Sequence, residues 1–133
     1  MMSELSNLHI IIAEDDPDDG EVIVESFSKN GAFSIVEWVK NGRELLEYLK
    51  NPELEQPDVI LTDINMPILS GIEALEEINR DVRLKGIPAF VFSSTINPVY
   101  QARCEMLGTA GFLIKPFNLK GFDDIPKKII DSL

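Results

Sequence analysis

Four short stretches of this 133-residue chain carry side chains able to do polar chemistry. Ala13 to Asp19 places five acids in seven residues, directly after Ile10-Ile11-Ile12. Asp63 closes the apolar run from Val59, Ser93 to Thr95 close the run from Ala89, and Lys115-Pro116 follows Gly111-Phe112-Leu113-Ile114. If Glu14, Asp15 and Asp63 converge with Lys115, three negative charges face one positive charge. At about 4 Å and an effective dielectric near 20, each like-charge pair costs roughly 4 kcal/mol. A carboxylate must then take up a proton, or a divalent cation must sit among the acids. Hard oxygen donors at a partly open site favour Mg2+, which keeps waters and accepts phosphate oxygens. A carboxylate, Mg2+, a hydroxyl and a lysine are the parts that phosphoryl transfer uses.

Such convergence needs elements that deliver all four stretches to one place, and the hydropathy pattern supplies them. Buried strands are predicted over residues 8–13, 33–39, 58–62, 88–93 and 111–114. Between them lie amphipathic segments. One runs from Pro17 to a stop at Gly31, a second carries Leu45, Leu46 and Leu49 on one face, and a third turns Ile72, Leu75 and Ile78 inward. Asn97 caps a fourth whose first residue is Pro98 and which ends at Gly108; Cys104 and Leu107 face its core side. The last spans residues 120–133, where Pro126 fits only near the first turn. Five strands alternating with five helices predict an α/β, doubly wound, five-stranded parallel sheet in the order 2-1-3-4-5, with helices on both faces. In that fold ligands bind beyond the carboxyl ends of the strands, beside the switch point between strands one and three. Glu14, Asp15, Asp63, Ser93 and Lys115 all stand at such ends.

Composition narrows the classes of partner. The net charge of −11 is confined to the first half, where fifteen acids and four bases precede Ile64, while eight of each follow. No Lys/Arg stripe exists to neutralise a row of phosphates, so nucleic-acid binding is not expected. No apolar run is long enough to cross a bilayer and no secretory signal is visible at the start, so no membrane partner is expected either. With a single cysteine, Cys104, a reducing cytoplasm is the expected setting. The chain is expected to comprise a short tail at 1–7 and one domain over 8–133, with no output domain attached.

The ordered set IIIAEDD, DVILTDINMP…G, VFSS and GFLIKPF closely resembles the receiver domain of two-component response regulators, a flavodoxin-like fold, from about Leu8 to the C-terminus. The resemblance implies that Asp63 accepts a phosphoryl group from a phosphohistidine on a sensor histidine kinase or a histidine phosphotransfer protein. It implies that Asp15 binds Mg2+ directly and that Glu14 reaches it through water. Asp63 and the backbone carbonyl of Asn65 would complete the site, which Mn2+ could also fill. Ser93 would hydrogen-bond the phosphoryl group, Ser94 would leave room for its entry, and Lys115 would pair with its oxygens. Asn65 and Thr95 match positions that tune phosphoryl loss, and Pro116 is expected in the cis form. Phe112, where a tyrosine is frequent, is equally a switch aromatic or a plain core residue. The face made by the fourth helix, fifth strand and fifth helix, with Tyr100, Phe112 and Lys120, would bind a downstream protein target or a second copy as a homodimer. A protein of this kind is a signalling switch and not an enzyme in the ordinary sense.

Two other functions use overlapping parts. A Mg2+-dependent phosphohydrolase of the haloacid-dehalogenase type also has a strand-end aspartate, a hydroxyl and a lysine. It needs a second aspartate two residues after the nucleophile, where this chain has Asn65, and its acidic pair comes last instead of first. A degenerate receiver would bind partners without phosphorylation, which the full set Asp15, Asp63, Ser93 and Lys115 argues against. Asp16, Asp18 and Asp19 read differently, as the cap and first turn of a helix whose dipole favours anions. His9 reads as structural, so the phosphodonor must be another protein.

Overall fold

The structure, a computed structural model, describes residues 6–133. Most of the expected tail, residues 1–5, lies outside the described residues. The elements alternate as β1 (Leu8–Ala13), α1 (Pro17–Ser28), β2 (Phe33–Val39), α2 (Gly42–Lys50), β3 (Val59–Asp63), α3 (Gly71–Arg80), β4 (Ala89–Ser93), α4 (Pro98–Met106), β5 (Gly111–Ile114) and α5 (Leu119–Ser132). All neighbouring strands pair in parallel, in the order β2-β1-β3-β4-β5 expected from the alternation.

Side chains on a strand point alternately to either face, and β1 divides its isoleucines accordingly. Ile11 and Ala13 join Leu45, Leu49, Ile60, Ile72, Leu75, Val91 and Cys104 in one core layer, beneath α2, α3 and α4. Ile10 and Ile12 join Ile23, Phe27, Leu61, Phe90, Phe92, Phe122, Ile125 and Ile129 in the other, beneath α1 and α5. Burial on both faces is why β1, β3 and β4 read as continuous apolar runs in place of alternating ones.

The helix starts carry the expected signals. Asp16 caps α1 by accepting the Asp18 and Asp19 N–H groups, Asn97 caps α4, and Gly108 stands just past α4 at φ +76°. Ser70 and Glu73 form a reciprocal capping box at the start of α3. Two expectations about proline fail. Pro126 lies well inside α5 and not in its first turn. It leaves the Phe122 carbonyl without its i+4 donor, a loss offset by burying Phe122, Ile125, Pro126 and Ile129. The bond before Pro116 is trans, as every peptide bond among the described residues is. The trans form is the lower-energy one for an X–Pro bond, and Lys115 reaches the carboxylates without the other isomer.

Candidate functional site

Each candidate residue is delivered by the end of a strand. Glu14 and Asp15 follow β1, Asp63 ends β3, Ser93 ends β4, and Lys115 follows β5. The sheet register sets β1, β3 and β4 side by side, Ala13 opposite Thr62 and Asp63 opposite Phe92. The start of α3 presses close beneath this point. Gly71 N–H bonds the Ile64 carbonyl at 2.8 Å, and a Cβ on Gly71 would lie 2.0 Å from the Asp63 carbonyl oxygen. Only glycine lets that backbone approach so nearly.

Lys115 is the hub. Its Nζ donates to Asp63 Oδ2 and to Asp19 Oδ2, both at 3.1 Å, and stands 2.5 Å from Glu14 Oε1. The ammonium also lies 5.0 Å from the Phe92 ring centroid, so the ring forms the floor under the charge. Burial on its own would lower the Lys115 pKa; Glu14 and Asp63 outweigh it and raise the pKa, so the ammonium stays charged. Asp63 is almost wholly buried; its Oδ1 accepts the Ile64 N–H at 2.7 Å.

Glu14 is the anomaly. It is 0 % exposed, and its Oε2 accepts the Asp16 N–H at 3.0 Å. Its Oε1 touches the Lys115 ammonium, but outside hydrogen-bonding geometry, and has no other partner. Burial pushes the carboxyl up from 4.5 to about 7, against the pull of Lys115 and the Asp16 N–H and with the push of the Asp63 charge. A carboxylate buried in this way, its Oε1 paired only with an ammonium that Asp19 and Asp63 also share, suits a cation ligand. Glu14, Asp15 and Asp63 each offer a carboxylate oxygen within 4.8 Å of the others, and Asp15 is exposed, which leaves the cluster open on one side. All-oxygen, carboxylate-rich donors with room for water suit Mg2+ or Mn2+.

The remaining candidates surround this centre. Ser93 is buried, its Oγ accepting the Thr95 N–H at 3.4 Å, and its carbonyl takes the Lys115 N–H at 2.8 Å. Ser94, Thr95 and Asn65 are exposed at the rim. Phe112 is half-buried and packs, with Tyr100 and Leu107, against the core layer that holds Cys104. Two residues of the site were not legible in the sequence. Asp19, read there as a helix-start acid, reaches Lys115 across 96 positions of chain. Trp38 donates its indole N–H to the Glu14 carbonyl at 2.9 Å. No local motif marks either contact, because both depend on how α1 and β2 lie against the end of β1. His9 is buried at the opposite end of the sheet, in contact with Tyr48.

A family model described as a response regulator receiver domain matches residues 10–126. The chain is 32% identical over 124 residues to a two-component response regulator, ORR1, of Oryza sativa subsp. indica, matching 89% of this chain and 53% of that protein. It is 32% identical over 131 residues to a protein-glutamate methylesterase/protein-glutamine glutaminase of Clostridium acetobutylicum, matching 94% of this chain and 36% of that protein. The chain thus spans about half or less of the length of these two relatives. Among solved structures, the phosphorylated cyanobacterial phytochrome response regulator RcpA superposes with a TM-score of 0.87 at 31% identity, covering 95% of this chain and 93% of that one.

Proposed function

Given that the chain belongs to the response regulator receiver domain family, we propose that Asp63 is the residue that takes the phosphoryl group. Receiver domains of this family are phosphoacceptor switches of two-component signalling that work with histidine kinases and downstream targets, and they hold a divalent cation at an acidic pocket. In this chain a carboxylate oxygen of Asp63 attacks the phosphorus of a partner's phosphohistidine. The phosphorus–nitrogen bond breaks, the imidazole leaves, and an acyl phosphate forms on Asp63. Glu14, Asp15 and Asp63, with the Asn65 carbonyl, would hold Mg2+ or Mn2+, whose positive charge would offset the negative charge of the phosphoryl oxygens. Lys115 already bonds Asp63 and exchanges that contact for a phosphoryl oxygen. The Ser93 hydroxyl supplies a further donor from the end of β4, while exposed Ser94, Thr95 and Asn65 form the entry rim.

The observation that carries this reading is the cluster of Glu14, Asp15 and Asp63, whose carboxylate oxygens lie within 4.8 Å of one another, beside the Lys115 ammonium bonded to Asp63. A structural ion-pair cluster balances its charges; here three carboxylates converge on one ammonium. A phosphohydrolase reading lacks support, since exposed Asn65 stands where a general acid would be required. Contact with a downstream protein falls to α4, β5 and α5, where Val99, Ile114, Phe117 and Leu119 are exposed; the same face suits a homodimer, and Phe112 lies behind it. No helix among the described residues is long and apolar enough to cross a membrane.

Phosphorylation with acetyl phosphate and Mg2+, and phosphotransfer from a panel of histidine kinases, followed by intact mass, tests the assignment. The wild type is expected to gain one phosphoryl group and Asp63→Asn none. Equal labelling of Asp63→Asn would overturn it.

A further inference from the structure

We infer that Trp38 is a positioning residue for the cation site, because its indole N–H fixes the peptide plane that carries the two acidic ligands Glu14 and Asp15. The inference rests on the cation-site reading given above. The parallel ladder between β1 and β2 ends at the pair Ala13–Val39, so the next carbonyl, that of Glu14, has no strand donor to meet. The Glu14 N–H still finds the Val39 carbonyl at 3.0 Å. The Glu14 carbonyl is taken by Trp38 Nε1 at 2.9 Å, a side chain standing in for the missing strand. Both polar groups of Glu14's backbone are thereby tied to β2.

That tie matters because the Glu14–Asp15 peptide unit sets the direction of both carboxylates. Glu14 turns inward to Lys115, and the exposed Asp15 carboxylate takes its position from this backbone. Rotating the unit about its two soft dihedrals would spread oxygens that now lie within 4.8 Å of one another. The indole itself is held firmly. It fills the space beside Gly20 of α1, where a Cβ would come within 2.0 Å of Cζ2, and the Lys40 ammonium stands over the ring at 4.4 Å from the centroid. Groups that orient metal ligands in this way commonly affect affinity by roughly tenfold or more when removed.

Trp38 is the chain's one tryptophan, so growth on its sulfur isostere, 3-benzothienylalanine, replaces the indole N–H by sulfur at this position alone while keeping the fused aromatic ring. Mg2+ affinity by calorimetry, and melting in EDTA, are compared for wild type, the isostere-substituted protein and Trp38→Phe. Mg2+ binding is expected to weaken about tenfold in both. The isostere protein should melt in EDTA only slightly below the wild type, as the loss of one hydrogen bond requires, and reach the wild-type phosphorylation rate once Mg2+ saturates. Wild-type Mg2+ affinity in the isostere protein would overturn the inference. A wild type that binds no Mg2+ would overturn the cation-site reading itself, and the inference with it.

Discussion

At the start of β1, His9 meets the Tyr48 hydroxyl through Nε2 at 3.1 Å, its N–H donates to Asp58 Oδ2 at 2.9 Å, and its carbonyl takes the Asp58 N–H at 2.7 Å. At the other end of the same strand, Glu14 is equally buried, yet one of its oxygens has a charge beside it and no hydrogen bond. Both ends hold buried ionisable groups within a few residues of three isoleucines. At the first, the histidine's backbone N–H, its carbonyl and Nε2 are each paired with a group of the chain, as stability asks of buried polar atoms. At the second, three acids, Glu14, Asp19 and Asp63, share one ammonium, so negative charge is left in excess around it. The proposed site lies at the end where charge is left unbalanced.

That contrast can be broken in several ways. Lys115→Met removes the one positive charge and should lower stability at pH 8 without divalent cations by about 3 kcal/mol, read from urea unfolding; an unchanged midpoint would mean that the acids do not depend on it. Glu14→Gln should do the reverse. At pH 8 it is expected to raise stability by about 2 kcal/mol while weakening Mg2+ binding more than tenfold. Because burial raises the Glu14 pKa from 4.5 to about 7, the folded chain keeps a proton there between those two pH values that the unfolded chain has lost. The wild type's stability from this group is therefore complete below pH 4.5 and lost as pH rises through 7. The gain in Glu14→Gln should accordingly vanish by pH 4.5.

The same proton sharpens the contrast from the ligand's side. Mg2+ must displace it, so affinity should fall about tenfold between pH 8 and pH 6, with a proton released on binding at the lower pH. Calorimetry in buffers of different ionisation enthalpy would detect that release, and a pH-independent affinity would place Glu14 outside the site. The smallest effect belongs to the satisfied end. Tyr48→Phe deletes one hydrogen bond to His9 and should cost about 1 kcal/mol of stability, with phosphorylation and Mg2+ affinity as in the wild type. If phosphorylation changed, the two ends of β1 would be coupled and the division between them would fail.

Much of this was legible in the amino-acid sequence because it depends on local order. Apolar runs buried on both faces announce a parallel sheet, and the alternation of strands and helices announces its winding. Once the strand order 2-1-3-4-5 follows, the residues after each strand must assemble, so Glu14, Asp15, Asp63, Ser93 and Lys115 could be grouped before any coordinates. The capping role of Asp16 was equally local, since a cap acts on N–H groups two and three residues away. The expected cis bond at Pro116 failed because isomer choice answers to surroundings that a single Lys-Pro step does not describe. Pro126 failed likewise, its lost hydrogen bond being offset by burial that becomes visible only when α5 lies on the sheet.

By itself, then, the sequence determined which side chains meet and that their charges cannot rest unneutralised, because strand ends and Coulomb repulsion follow from order and composition. The tertiary structure alone decided how they meet. It placed Asp19 on Lys115 and the Trp38 indole on the Glu14 carbonyl. It also left one oxygen of one buried carboxylate without a hydrogen-bond partner. Those outcomes turn on distances of a few tenths of an ångström between elements far apart in the chain, and packing fixes such distances where sequence patterns do not.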